Sequence, residues 1–300
     1  MPDRFIVEPD VVLIGAGIMS ATLGVFLKEL EPSLSIQMFE MLGGAACESS
    51  EAWNNAGTGH AANCEMNYTP ARADGRIDIS KALQVNVEFD LSRQLWSYLV
   101  RKGAIQDPQS FIHSVPHMSF VRGAENVSFL KKRFDAMVAH HCYRGMEYSD
   151  DKRQIADWAP LVMEDRGADE LVAATRIITG SDVDYGALTN HLVDHLSASP
   201  GFSVHYQHRV TDLSRQSDRR WRIDTHDVGV VPVLQGIECV HEAIATPATV
   251  AVAILHMFQN AKGRIRHEWQ RSGWSTRYYT AVNGTHLWRA APHNVSGLRI

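Results

Sequence analysis

Val11 to Glu40 reads VVLIGAGIMSATLGVFLKELEPSLSIQMFE, and this stretch decides the fold. The short run of β-branched and aliphatic residues from Val11 to Ile14 is typical of a parallel strand covered on both faces. Gly15 and Gly17 follow at once, and an apolar helical segment then leads to a second strand from Ser35 to Phe39. The order strand, glycine turn, helix, strand predicts a Rossmann-like domain of the α/β class.

The glycine turn is suited to a pyrophosphate. Phosphate can approach the backbone of Gly15, Ala16 and Gly17 closely, and the helix that follows points its free N–H groups and positive dipole end at that charge. Ser20 stands where G-x-G-x-x-G has its third glycine, and Glu40 ends the second strand, where a carboxylate can bind an adenosine ribose. Taken alone, Glu40 also fits a solvated strand-end charge. An acid there argues against a 2′-phosphate, so NADP is disfavoured and NAD and FAD stay open.

Composition limits the classes of partner. The chain has 300 residues, 45% hydrophobic and 21% charged, with a formal net charge of −5. No basic stripe is visible, so nucleic acid is not expected. Met1 to Pro9 has no apolar core, which predicts no signal peptide and a cytoplasmic protein. The longest apolar run, Ala243 to Phe258, contains Pro247 and is too short to span a membrane. The scattered cysteines are expected to be reduced thiols.

A long loop follows the second strand. Met41 to Ala62 ends in ESSEAWNNAGTGHAA, which is rich in small and polar residues and has no helical or strand period. Hydrogen-bond donors next to missing side chains favour a loop that lies against a flat cofactor, although a surface loop is the simpler alternative.

Five stretches resemble the FAD-dependent malate:quinone oxidoreductases. They are VVLIGAGIMSATLG, ESSEAWNNAGTGHAANCEMNYTP, DISKA, PHMSFVRG and TRIITGSDVDYGALT, and the resemblance runs from about Asp10 to about Asp224. It implies a Rossmann-like FAD-binding domain with a second α+β substrate domain, incomplete relative to the family. It also implies oxidation of L-malate to oxaloacetate in the tricarboxylic acid cycle. Electrons would pass to a membrane quinone, with peripheral contact at the inner face of the cytoplasmic membrane.

The resemblance also implies site residues. The loop becomes a set of flavin contacts: Ser49, Ser50, Asn55, Ala56, Gly57 and Thr58. His60 lies close to the reacting face and is the candidate base, although it could instead support the loop. Arg122 and Arg176 are the candidate cations for the malate carboxylates. Val210 would place its backbone against the adenine, or it is an ordinary core residue.

The elements predict four segments. Residues 1–76 form the first part of the FAD-binding domain, 77–180 the substrate domain, 181–226 the return to the FAD-binding domain, and 227–300 a divergent tail. Helical spacing predicts helices at Ile77–Gly103, Asn126–His140 and Asp182–Leu196. Strands are expected at Ser114–Phe120, Met146–Tyr148, Phe202–Val210 and Trp221–Asp224.

The histidines outside the loop carry no firm assignment. His140, His141 and Cys142 are adjacent, and adjacent residues cannot readily aim three side chains at one tetrahedral centre, so no metal site is predicted. His113 and His117 flank a short strand and could face a pocket or serve the structure. The sequence indicates no oligomeric state.

Two other functions stay open. One is a non-catalytic remnant that binds nucleotide only, and the other is a flavin enzyme for another 2-hydroxy acid. Asp227 to Ile300 shows no motif of the family, and we expect it to be out of register with the family's coding sequence, as after a frame change. Resequencing the gene tests this.

Overall fold

A computed structural model of the chain describes residues 8–228 and the backbone of residues 235–239. The chain divides into two compact units, one formed by residues 1–55 and 185–300 and the other by residues 56–184. Apart from residues 227–228 and the backbone of 235–239, the predicted tail lies outside the described residues.

Strands and helices alternate along the chain. In order they are β1 (Val11–Ile14), α1 (Ile18–Leu30), β2 (Ile36–Phe39), α2 (Ser80–Lys102), β3 (Ile112–Ser114), β4 (His117–Arg122), α3 (Ala124–Val138), β5 (Glu147–Ser149), α4 (Lys152–Trp158), β6 (Val172–Ile177), β7 (Ser181–Val183), α5 (Tyr185–Ser197), β8 (Phe202–His205), β9 (His208–Arg215), β10 (Trp221–Asp227) and β11 (Gln235–Cys239).

The first unit is built on a parallel sheet of order β1-β2-β8. Val11 pairs with Ile36, and Ile36 with Phe202, so the glycine turn follows the edge strand β1. All four residues of β2 are buried, as expected for a parallel strand covered on both faces. Helices α1 and α5 pack against each other.

An antiparallel sheet of order β9-β10-β11 completes this unit. Its apolar side chains cover one face of the parallel sheet, where Ile223 of β10 packs with Val12 and Phe39. The sequence predicts one strand over Phe202–Val210, but the chain forms two. The tight turn between β8 and β9 has Gln207 at a φ of 60°, and the two strands join different sheets.

The second unit contains the sheet β4-β6-β5 and the small pair β3-β7, both antiparallel. Helix α2 ends before Gly103, as predicted, and buries Phe89, Trp96 and Leu99 on one side. The predicted strand Ser114–Phe120 is interrupted at Val115–Pro116, and its two parts enter different sheets. None of the described helices is long and apolar enough to cross a membrane.

The observed boundaries differ from the predicted ones. Residues 56–76 fall in the second unit, whereas the sequence assigns them to the first. Their hydrogen bonds explain this, because Gly59 N–H donates to Ser181 O at 2.8 Å and the buried Arg133 donates to Asn63 O at 3.1 Å. At the other boundary, residues 181–183 form β7 of the second unit, and α5 begins only at Tyr185.

Candidate functional site

The glycine turn has the open geometry expected of a phosphate-binding loop. Gly15 has a φ of +88°, a conformation that favours glycine, and its N–H donates to Phe39 O at 2.7 Å. A Cβ built on Gly15 would meet no described atom within 4 Å, so the space above the turn is free. Helix α1 begins at Ile18, and its N-terminus therefore faces this space.

The Glu40 carboxylate is aimed at the turn. One oxygen accepts the Ala16 N–H at 2.7 Å, and the other accepts the Leu42 N–H at 2.8 Å. An ionised carboxylate has about four lone-pair positions, so each oxygen can accept a further hydroxyl donor. The predicted spacing of acid and turn is confirmed, and the arrangement suits a ribose beside a diphosphate.

Two serines support the turn. Ser20 is 3% exposed and lies at the position of the third glycine, with its Oγ 3.4 Å from Ile14 O. Ser50 is also buried, and its Oγ accepts the Ile18 N–H at 2.9 Å. Ser50 therefore satisfies one N–H at the α1 N-terminus, so it shapes the anion site and occupies part of it.

The remaining loop candidates of the first unit hold the loop together. Asn55 Nδ2 donates to Ser49 O at 3.1 Å and to Glu51 O at 2.8 Å. The Ser49 side chain is exposed. Of these two candidates, Ser49 has the more accessible side chain, and their contact with a flavin stays a prediction.

The glycines of NNAGTGH are explained by packing within the second unit. A Cβ on Gly57 would lie 2.8 Å from Asp182 Oδ1, and one on Gly59 would lie 2.7 Å from the Phe89 ring and 2.8 Å from Ser181 O. Thr58 forms a bridge with Asp182. The sequence interprets these missing side chains as room for a cofactor, and that interpretation is wrong for Gly59 and unnecessary for Gly57. Ala56 is exposed, and its flavin contact stays a prediction.

Val210 lies in the apolar layer of the first unit. It is half-buried on β9 and packs against the cluster of Val12, Phe39 and Ile223. This position accounts for Val210 as a core residue, the alternative that the sequence leaves open.

His60 is half-exposed and lies next to an acid. Its side chain is 52% exposed, and its Nδ1 lies 3.2 Å from Glu65 Oε1, whose side chain is 18% exposed. One ring nitrogen therefore faces a carboxylate. A neutral histidine held in this way can accept a proton at Nε2.

The two candidate arginines lie at opposite ends of one sheet face. Arg122 pairs with Val172 on β6, four residues from Arg176, a separation of about 13 Å along a strand. The Arg122 side chain is 75% exposed and lies 4.0 Å from Glu170. Arg176 is half-buried, its Nε has no hydrogen-bond partner among the described residues, and its guanidinium lies 5.8 Å from the Trp158 ring centroid. Arg176 is the better candidate for a carboxylate.

The other histidines separate clearly. His117 is 8% exposed, with Nε2 3.0 Å from Ser181 O and Nδ1 3.4 Å from Asn63 Nδ2, so both nitrogens have structural partners. His113 is exposed on β3.

The argument from adjacency against a metal site is wrong. A 3₁₀ turn over His141–Tyr143 brings one donor atom each of His140, His141 and Cys142 within 4.8 Å of one another. Burial and the nearby Asp90 raise the pKa of the Cys142 thiol, which opposes formation of the thiolate that a metal needs. The absence of a metal stays a prediction.

Sequence reasoning missed a buried polar cluster behind His60. Arg133 of α3 is 0% exposed and donates to Thr69 Oγ1 at 3.0 Å and to Ala62 O at 3.3 Å. Helical spacing could have indicated it, since Arg133 lies between Leu130 and Met137 on the apolar side of α3. Nothing in the sequence pattern points to the acid, Glu65.

Solved structures of similar fold define the class. The chain matches L-amino acid deaminase from Proteus vulgaris with a TM-score of 0.55 at 14% identity, over 86% of this chain and 58% of that one. For glycine oxidase from Geobacillus kaustophilus the values are 0.54, 19%, 84% and 58%. L-α-glycerophosphate oxidase from Mycoplasma pneumoniae, solved with FAD bound, gives 0.53, 13%, 79% and 53%. The fold is therefore the α/β fold of FAD-dependent oxidoreductases.

Sequence comparison then defines the family. The family described as malate:quinone oxidoreductase matches residues 7–233. A probable malate:quinone oxidoreductase from Bradyrhizobium diazoefficiens is 73% identical over 220 residues, which are 73% of this chain and 43% of that protein. One from Granulibacter bethesdensis is 66% identical over 221 residues, 74% and 44% of the two chains. The chain belongs to the malate:quinone oxidoreductase family, and it spans less than half the length of these relatives.

Proposed function

We propose that this chain takes part in the FAD-dependent oxidation of L-malate to oxaloacetate, with electrons passing to a membrane quinone. The observation that carries the proposal is the Glu40 carboxylate, 2.7 Å from the Ala16 N–H, beside an open glycine turn in a member of this family. When bound, FAD supplies the acceptor for the hydride equivalent that leaves C2 of malate.

The first unit would hold the cofactor. Gly15, Ala16 and Gly17 would lie along the diphosphate, and Glu40 would accept the ribose hydroxyls. A carboxylate already held by two backbone N–H groups does not need to reorganise when it accepts these hydroxyls. Ser50 would fix the start of α1 against the phosphates.

The second unit would supply the groups for the substrate. His60 would take the proton of the C2 hydroxyl at Nε2, because Nδ1 faces Glu65. Arg176 would bind a malate carboxylate through the guanidinium edge that has no partner among the described residues. Proton removal at the hydroxyl oxygen strengthens the tendency of C2 to release hydride.

The proposed acceptor sets the location. A quinone dissolved in a bilayer can be reached by a cytoplasmic protein only through peripheral contact with the membrane. We therefore place the protein in the cytoplasm with contact at the inner face of the cytoplasmic membrane.

Anaerobic reduction of the flavin tests the proposal. The purified chain is loaded with FAD and mixed with L-malate without oxygen, and the flavin absorbance is followed. We expect bleaching by L-malate, and about 100-fold slower bleaching in His60→Gln because general base catalysis is lost. His113→Gln, which changes an exposed histidine of the same unit, should bleach at the unaltered rate.

Each other outcome contradicts the proposal in its own way. Bleaching by a different 2-hydroxy acid and not by malate would assign another substrate. A yellow protein that no 2-hydroxy acid bleaches, or a colourless one, would indicate a remnant without the activity.

A further inference from the structure

The Glu65 carboxylate lies behind the His60 ring. His60 Nδ1 and Glu65 Oε1 are 3.2 Å apart, close enough for an ion pair but not aligned as a hydrogen bond. The His60 side chain is 52% exposed and that of Glu65 is 18% exposed. The ring therefore has one nitrogen toward an acid on the protein side, and a small rotation of the ring would align the N–H with the free acceptor.

Glu65 is held in place by its own loop. Its second oxygen accepts the Cys64 N–H at 3.2 Å. Arg133 fixes the same loop to helix α3 through Thr69 Oγ1 and the carbonyls of Ala62 and Asn63, on both sides of Glu65 in sequence. The carboxylate therefore sits on a segment that a fully buried side chain holds at three points.

The groups around Glu65 leave one acceptor position open. Arg133 Nη1, Tyr143 Oη and Glu65 Oε1 are all buried without a hydrogen-bond partner among the described residues. Burial raises the pKa of the Tyr143 hydroxyl, and burial together with Glu65 raises the pKa of the Cys64 thiol to about 11. Both groups are therefore neutral at physiological pH, and Arg133 carries the positive charge that balances Glu65 in this cluster.

A carboxylate beside one ring nitrogen determines which tautomer a neutral histidine adopts. The N–H is favoured on the nitrogen that faces the acid, and the lone pair is left on the other nitrogen. Without such a partner, nothing fixes the proton on Nδ1, and an exposed ring also rotates freely.

We propose that Glu65 is a positioning residue for His60: it holds the ring proton on Nδ1 and so leaves Nε2 as the basic nitrogen. The role of Nε2 rests on the proposed function. There, the hydroxyl proton moves to the Nε2 lone pair, the O–H bond breaks as the N–H bond forms, and the imidazolium keeps its Nδ1–H toward Glu65. Arg133 supports this arrangement by fixing the loop.

Long-range ¹H–¹⁵N correlation spectra of the purified, ¹⁵N-labelled chain test the inference. They are recorded at a pH where the histidine rings are neutral, and the His60 signal is identified by its loss in His60→Gln. We expect the Nδ1–H tautomer for His60. In Glu65→Gln the carboxylate is lost, and we expect most of the proton population to move to Nε2. Glu125→Gln, which changes an exposed acid of α3, should leave the His60 tautomer as it is.

Two results would overturn the inference. One is an Nε2–H tautomer for His60 in the unaltered chain, which decides the matter even where Glu65→Gln does not fold. The other is a tautomer that Glu65→Gln does not change. Neither result depends on turnover, so failure of malate to bleach the flavin would remove the proposed function while the tautomer still decides the role of Glu65.

Discussion

At the scale of single residues, the glycine turn is held by side chains from other parts of the chain. Glu40 binds the Ala16 N–H, and Ser50 binds the Ile18 N–H. These contacts prepare the turn before a ligand arrives, because donors and acceptors that would otherwise need solvent are already oriented. Removal of the Glu40 charge should therefore weaken both the turn and its ligand.

Glu40→Gln tests this directly. The amide keeps the shape of the carboxylate but turns one N–H donor toward a backbone N–H, so a charge-assisted hydrogen bond is lost at a cost of about 1.5–3 kcal/mol. We expect a lower unfolding midpoint and weaker FAD binding, measured by thermal unfolding and by fluorescence quenching of added FAD. Glu48→Gln, an exposed change in the adjacent loop, is the control. Equal FAD affinity in the two variants would contradict the role of Glu40.

A second residue-scale prediction concerns Cys64. Its pKa is raised to about 11, first by burial and then by Glu65, so the thiol stays protonated in the folded state at pH 9 while an ordinary cysteine is largely thiolate. We expect iodoacetamide to label the exposed Cys47 at pH 9 and to label Cys64 only as the pH approaches 11, measured by mass spectrometry of peptides. Because the folded-state pKa is the higher one, the stability that the Cys64 thiol contributes falls as the pH rises from 9 to 11. Labelling of Cys64 at pH 8 in the folded chain would contradict this environment.

At the scale of elements, local pattern predicts β1, α1 and β2 almost to the residue. Their period and the glycine turn depend only on neighbours in sequence. The break between β3 and β4 could not be predicted in the same way, because the two strands join different sheets through long-range pairs. Pro116 was the available signal for the interruption.

The same limit applies to the candidate site. The acid and the glycines of the first turn follow a spacing rule, whereas Gly59 is explained only by its contact with Phe89 and Ser181, far away in sequence. Arg133 and Thr69 are brought together by folding across 64 positions. A pattern read along the chain cannot show which of these distant residues meet.

Gly59→Ala tests the packing explanation. The new Cβ would lie 2.8 Å from Ser181 O, a backbone atom that cannot move aside, so we expect a loss of about 1–3 kcal/mol in unfolding free energy from overpacking. Urea unfolding measures it. Gly167→Ala is the matched control, because its Cβ would meet no described atom within 4 Å. Equal stability of the two variants would return Gly59 to a role in ligand binding.

Helix α3 gives a further prediction through Arg133. Arg133→Met removes three hydrogen bonds and leaves buried acceptors without a donor, so we expect a loss of about 3 kcal/mol or more. Lys132→Met, its exposed neighbour, should change stability by less than about 0.5 kcal/mol. The measurement is urea unfolding followed by tryptophan fluorescence, and similar midpoints for the two variants would contradict the role of Arg133 as an anchor.

At the scale of the whole molecule, family and fold agree while the share of the family's length is partial. The match covers residues 7–233, slightly beyond the Asp224 at which the sequence motifs end. The chain spans 43–44% of the two relatives described above. What this chain must do to have any flavin chemistry is bind FAD through its first unit.

FAD binding by the purified chain tests that central claim most directly. We expect FAD to bind with one site per chain, measured by quenching of its fluorescence. Gly15→Ala should bind at least about tenfold more weakly, because its φ of +88° strains any residue with a Cβ. Gly43→Ala has equally open surroundings without that φ and should bind as the unaltered chain does. No binding of FAD, or equal binding by both variants, would contradict the account.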